Sequence, residues 1–209
     1  MSGVPNAGGG AASQDDIRRR IVGRGIPLPG SDIDTDRIMP ARYLKSVTFE
    51  GLETHLFEDD RRQAPDHPFN RPHYQGAAVL VVGQNFGSGS SREHAPEGLR
   101  RWGIRGIVGE SFAEIFFGNC TALGLPCLTV DAKDAQWLLE TVARHPEWEL
   151  LLDVEQRLVR LGERTLPAMI PEGARNQLLT GTWNATQVLL EAGDEIERVA
   201  KRLPYITGY

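Results

Sequence analysis

Apolar residues gather in three short runs in the middle of the chain: "AAVLVVG" (77–83), "IRGIVG" (104–109) and "LPCLTV" (125–130). The first, a continuous β-branched run, predicts a strand buried on both faces, and the other two predict a second and a third strand. Between them, "SREHAPEGLRRWG" (91–103) reads as a helix, with Leu99 and Trp102 inward and Pro96 either in the first turn or breaking the segment in two. "SFAEIFFGNCTALG" (111–124) predicts a second helix, with Ser111 and Glu114 at capping-box spacing and Gly124 at its end. Strand, helix, strand, helix, strand with short connections implies parallel βαβ units with right-handed crossovers.

The flanks are less regular. A short strand is expected from Arg20, followed by a Pro/Gly turn and the Asp-rich stretch "SDIDTDRIMP". Residues 52–76 are polar, charged and punctuated by proline, and read as a surface excursion whose charge run from Glu58 to Arg62 is a solvated face. "AQWLLETVARH" is an amphipathic helix. "WELLLDVEQRLVRLGERTLPAMI" alternates like a β-hairpin with Gly162 near its turn. Two helices, "PEGARNQLLTGTW" and "TQVLLEAGDEIERVAKRL", are expected to close the chain. Residues 1–14 are Gly/Ala/Ser-rich and read as a disordered arm. The expected organisation is therefore an arm (1–14), an α/β domain (15–170) and a helical extension (171–209).

Charge and composition narrow the function. A net charge of -5 with no basic stripe argues against nucleic acid or an anionic membrane as partner. No run approaches the ~20 apolar residues of a membrane span, and the N-terminus lacks the basic start and apolar run of a signal peptide. Two cysteines, Cys120 and Cys127, sit among apolar residues, too few for a zinc site or a secreted disulfide scaffold. These features fit a cytoplasmic protein.

The candidate chemistry lies in "QNFGSGSSREHAPEGL" (84–99). Its loop leaves the carboxyl end of a parallel strand and enters a helix, where open α/β sheets bind ligands and free N–H groups favour anions. Gly87 and Gly89 let the backbone approach a ligand, Ser90 and Ser91 add hydroxyls, and Arg92 presents a fork matched to carboxylate or phosphate. Serine also favours helix caps, so this segment alone leaves a capping role equally open. A dinucleotide fingerprint fails because Arg92 stands where glycine is required. A P-loop fails for want of lysine, and a nucleophile elbow fails because neither serine has the Gly-x-Ser-x-Gly frame. Asp32 and Asp34 read as turn residues.

Taken together, "GSDIDTDRIMPARYLKSVTFEGL", "NFGSGSSREHAPEGL" and "GESFAEIFFGNCTALGLPCL" resemble the small-subunit family of 3-isopropylmalate dehydratase, the swivelling-domain branch of the aconitase superfamily. The resemblance implies a β/β/α swivelling domain of the aconitase domain-4 type. It also implies a separate large subunit holding a [4Fe-4S] cluster, with no cluster ligand on this chain. By position, Ser90 matches the catalytic serine, Arg92 the arginine that pairs with a substrate carboxylate, and Ser91 a neighbour in the same anion nest. Asp36 matches the aspartate of the Thr-Asp-x-Ile motif near the site.

In "YLKSV" (43–47), Leu44 and Val47 fall where the substrate's side group is read. Val47 replaces an arginine that aconitases use for citrate's extra carboxylate, which suits an apolar group such as isopropyl. The implied activity is a hydro-lyase isomerising 2- and 3-isopropylmalate by dehydration and rehydration in leucine biosynthesis, inactive without its partner. Alternatives are a methylmalate/citraconate or homoaconitate hydro-lyase, a non-catalytic carboxylate-binding module and, last, a dinucleotide oxidoreductase.

Overall fold

Strand β1 (Arg20–Leu28) belongs to two sheet segments at once. Its second half pairs in parallel with β2 (Val79–Val82), Gly25 opposite Val79 and Leu28 opposite Val82. Its first half pairs antiparallel with β5 (Glu149–Asp153), Arg20 opposite Asp153 and Arg24 opposite Glu149. With β3 (Gly106–Gly109), β4 (Cys127–Thr129), β6 (Leu158–Leu161) and β7 (Arg164–Pro167), the sheet order is β4-β3-β2-β1-β5-β6-β7. The computed structural model describes residues 17–45, 49–89, 93–185 and 198.

The apolar runs behave as their composition demands. Leu80 and Val82 face one core with Ile26, Ile107, Leu99 and Phe116, whereas Val79 and Val81 face a second with Leu138, Val142 and Leu152. All four β2 residues are fully buried, so a period-2 polar alternation has no place there. The crossover helices are α3 (His94–Trp102) and α4 (Glu114–Ala122); α5 (Ala132–Arg144) packs against β1 and β2. Pro96 is the third residue of α3, inside the first turn. The first closing helix is α6 (Glu172–Thr180), with Leu178 in the second core. Residues 186–197 and the arm 1–14 lie outside the described residues.

Three local expectations are corrected. Residues 52–76 are not a surface excursion: Leu52, Leu56, Phe57, Phe69 and Tyr74 are buried in the first core. Short 3-10 turns redirect the chain every few residues, so these side chains reach one core without a single period. Within this stretch the charge run does form an element with no buried residue, α2 (Glu58–Gln63). Secondly, Ser111 does not cap α4, which begins at Glu114 after Ala113 with no side-chain cap. Residues 111–113 stay extended and pair with Phe86 (Phe86 N to Ser111 O 3.1 Å, Ala113 N to Phe86 O 3.0 Å), so tertiary pairing outcompetes the cap. Thirdly, the hairpin is a three-stranded meander. Its β6–β7 turn contains Gly162, and its β5–β6 turn, unmarked by glycine, contains Arg157 at φ 55°.

That second turn is fixed by Asp153, which is fully buried. Its carboxylate accepts from Gln156 N at 2.7 Å and from Arg20 Nε at 2.7 Å.

Helix α3 carries a buried carboxylate with a testable pH signature. Glu97 is 3 % exposed and accepts from Arg100 (2.8 and 2.9 Å) and Arg101 (2.5 Å). Burial opposes its ionisation, but the two arginines outweigh burial and hold the carboxyl below its ordinary value of 4.5. The native state favours the ionised form. Its stabilisation is therefore present above the unfolded value and lost as pH falls through the lower folded one. Because both arginines are partly exposed, Glu97→Gln is expected to cost only about 1–2 kcal/mol at neutral pH. The same change should flatten the acid limb of stability, read as urea midpoints from pH 6 to pH 3. An unchanged limb would mean that other carboxylates control acid unfolding.

Candidate active site

The Asp-rich stretch and the serine-loop stretch, some fifty residues apart in sequence, are zipped together by main-chain bonds. Asp32 N donates to Gln84 O (3.0 Å), Gly87 N to Ile33 O (2.8 Å) and Thr35 N to Ser88 O (2.8 Å), and Asp34 and Ser88 form a parallel bridge. Side chains add to this. Asn85 Nδ2 donates to Asp32 Oδ1 at 2.7 Å, and Asn85 N donates to Ser111 Oγ at 2.8 Å. Phe86 anchors the loop from below, buried and edge-on to Phe116 at 5.2 Å. Three successive alternate residues, Asn85, Gly87 and Gly89, take positive φ, which explains why asparagine and two glycines occupy them.

This pairing delivers α1 (Thr35–Ile38) to the loop. Asp34 is its N-cap, its Oδ1 accepting from Arg37 N at 2.8 Å, so Asp34 serves turn geometry, as does Asp32 at φ 54°. Gly89 lies over this helix start, within 3.6 Å of Asp34 Cβ if given a side chain. Asp36 follows in the first turn and is exposed. Leu44, half-buried, stands in the 3-10 turn Ala41–Lys45 that continues from α1. Ser90, Ser91, Arg92 and Val47 lie outside the described residues. The structure therefore brings together the loop's descent to Gly89 and the helix bearing Asp36.

On the far side of the loop, Glu93 precedes α3 as its N-cap residue, and His94 opens the helix, edge-on to Phe49 at 5.1 Å. Sequence reasoning missed Asn85 and Ser111 as loop-fixing residues. The tolerance of asparagine for the left-handed region was the one signal for Asn85, and the capping-box reading hid Ser111.

The chain's own donors do not suit a cluster. Cys120 and Cys127 are enclosed in the first core, burial pushes the Cys120 thiol well above its ordinary range, and no third cysteine exists. Among the described residues no group of three His, Cys, Asp or Glu is placed to hold a metal, and no helix is long and apolar enough to cross a membrane. A cavity of about 480 Å³ between α5 and the proline-rich turns is lined by Pro27, Pro68, Tyr74 and Leu139, and among the described residues neither Asp36 nor Leu44 lines it.

The site is thus a strand-end loop zipped to an Asp-capped turn, on a parallel sheet extended by an antiparallel meander. Residues 19–133 match the family model of the aconitase C-terminal domain. At full length the similarity is narrower. The chain is 49 % identical over 189 residues to the 3-isopropylmalate dehydratase small subunit of Thermus thermophilus, covering 88 % of this chain and 94 % of that one. It is 47 % identical over 189 residues to the protein of the same name from Synechocystis, covering 90 % and 94 %. The crystal structure of 3-isopropylmalate dehydratase from Methanocaldococcus jannaschii shares the fold, with a TM-score of 0.64 at 24 % identity over 84 % of this chain and 99 % of that one. The chain belongs to the 3-isopropylmalate dehydratase small-subunit family.

Proposed function

We propose that this chain is the small subunit of a heteromeric hydro-lyase that interconverts 2- and 3-isopropylmalate through the unsaturated diacid, in leucine biosynthesis. The observation that carries the reading is the main-chain pairing of residues 32–35 with 84–88. It sets the helix bearing Asp36 beside the loop that leads to Ser90. The Lewis-acid chemistry of a [4Fe-4S] cluster belongs, in this reading, to the large subunit.

This chain's part is binding and proton handling. Arg92, with Ser91 and loop N–H groups, holds a substrate carboxylate, for which a guanidinium fork is well shaped. Ser90 Oγ takes the proton from the carbon beside a carboxylate on dehydration and returns it on rehydration. A serine alkoxide is costly in water, so nearby cationic and N–H donors must lower that cost. Leu44 and Val47 supply an apolar wall that accepts the isopropyl group and offers no partner to a further carboxylate.

The test is reconstitution. The purified chain, mixed anaerobically with a cluster-loaded large subunit and 3-isopropylmalate, is expected to give the near-ultraviolet absorbance of the unsaturated diacid, and neither subunit alone should do so. Arg92→Ala should abolish this signal. If a large subunit proven active with another small subunit gave no turnover with this chain, the assignment would fall.

A further inference from the structure

The acidic run "EDD" (58–60) looks like ordinary solvated surface in the sequence, and α2 indeed buries none of its residues. Yet each of its three acids grips an element that carries a candidate site residue. Asp60 accepts from Arg37 Nε at 3.0 Å and lies 2.9 Å from Arg37 Nη2, on the helix of Asp36. Asp59 takes Arg42 in a two-pronged pair at 2.8 and 2.9 Å, on the turn of Leu44. Glu58 accepts from the Tyr43 hydroxyl, one residue before Leu44, and lies 3.1 Å from Arg42 Nη2. His55 and Arg62 complete its shell, His55 Nδ1 at 3.3 Å.

Two further contacts tie Tyr43 down. Its ring stacks on His55 at 3.8 Å and 16°, and it packs against the first core. The Glu58 side chain is only 14 % exposed, and the Tyr43 hydrogen bond outweighs burial to hold its carboxyl below the ordinary range. The arrangement is a strap. One short helix, entered through the buried Leu56 and Phe57 and the Phe57 N to Ile38 O bond (2.9 Å), holds both α1 and the Ala41–Lys45 turn by charge.

We propose that Glu58, Asp59 and Tyr43 are positioning residues that set Asp36 and Leu44 relative to each other and so tune which substrate side group is accepted; this rests on the function proposed above. Exposed ion pairs contribute little net stability, so three consecutive acids committed to two site-bearing elements make poor sense as folding elements alone. They make sense as geometry. A reading wall displaced by about 1 Å can lose on the order of 10²-fold in efficiency.

The test uses the reconstituted heteromer carrying Tyr43→Phe, Glu58→Gln and Asp59→Asn together. The KM for 3-isopropylmalate is expected to rise roughly tenfold with kcat within about threefold of wild type, as loss of positioned binding requires. Selectivity over a methyl-bearing analogue, measured as the ratio of kcat/KM values, should fall about fivefold or more. Arg164→Gln, which removes an exposed pair between β7 and Asp134 of α5, should change neither quantity. Wild-type kinetic constants and selectivity in the triple variant would overturn the proposal.

Amide hydrogen exchange gives a reading that does not depend on substrate. Residues 41–45 should exchange at least fivefold faster in the triple variant, while β1 and β2 stay unchanged. Unaltered exchange in 41–45 overturns the strap even if the wild-type heteromer turns over some other diacid. Absence of wild-type turnover, by contrast, strikes only at the function proposed above.

Discussion

Ser90→Ala is expected to lower kcat about 10²- to 10⁴-fold in the reconstituted heteromer, because it deletes the one group assigned to move the substrate proton. That range corresponds to about 3–5 kcal/mol of transition-state stabilisation. KM should change little, since carboxylate binding is assigned to Arg92 and the loop. The loop itself should survive the substitution. Its anchors are the main-chain bonds of residues 84–88 and the Phe86 ring against Phe116. Assembly with the large subunit and the thermal midpoint are therefore the controls. An assembled Ser90→Ala enzyme with more than about a tenth of wild-type kcat would fall short of that range and remove Ser90 from its assigned role.

Gly87→Ala carries the largest expected cost in stability. Gly87 has φ +80°, and a Cβ there would fall 2.6 Å from Phe116 Cβ and Cδ2 and closer still to Cγ. The left-handed backbone alone costs a non-glycine residue about 1–2 kcal/mol. Forcing a methyl into a packed site adds about 1–3 kcal/mol. Phe116 cannot yield easily, being 1 % exposed and edge-on to Phe86. The sum is about 2–5 kcal/mol, or a fall in Tm of roughly 4–20 °C for a chain of this length. Gly103→Ala isolates the backbone part: its φ is +116° with nothing within 4 Å of the added methyl, so only about 1–2 kcal/mol is expected. If the two variants were equally stable, the Phe116 contact would be irrelevant. Because Gly87 N also donates to Ile33 O, the alanine variant should loosen the junction of the two motifs and lower activity even where the protein remains folded.

The central strands were legible because an apolar run closed in on both faces has one stable environment. β2 shows why, sending alternate residues into two cores. The helices α3 and α5 followed from their period, and the resemblance pointed to the serine loop and to Asp36. Other features could not be read this way. A capping box at Ser111 is a local signal worth about 1 kcal/mol. It gave way to an isolated parallel bridge from Phe112 to Phe86, which lies elsewhere in the chain. Residues 52–76 looked like surface because their buried side chains share a direction only after several 3-10 turns have bent the chain. The acids 58–60 looked solvated because an ion pair leaves no periodic mark on either partner.

The junction of the two motifs is the clearest case. Both were visible in the primary structure, but the bonds joining residues 32–35 to 84–88 are between amides and carbonyls that every residue carries. Hydrophobic patterning records which face of an element is buried, since that free energy is a property of the side chains themselves. Which amide meets which carbonyl is a property of the folded path. The alignment of Asp36 with the serine loop therefore emerges only when the chain has closed on itself.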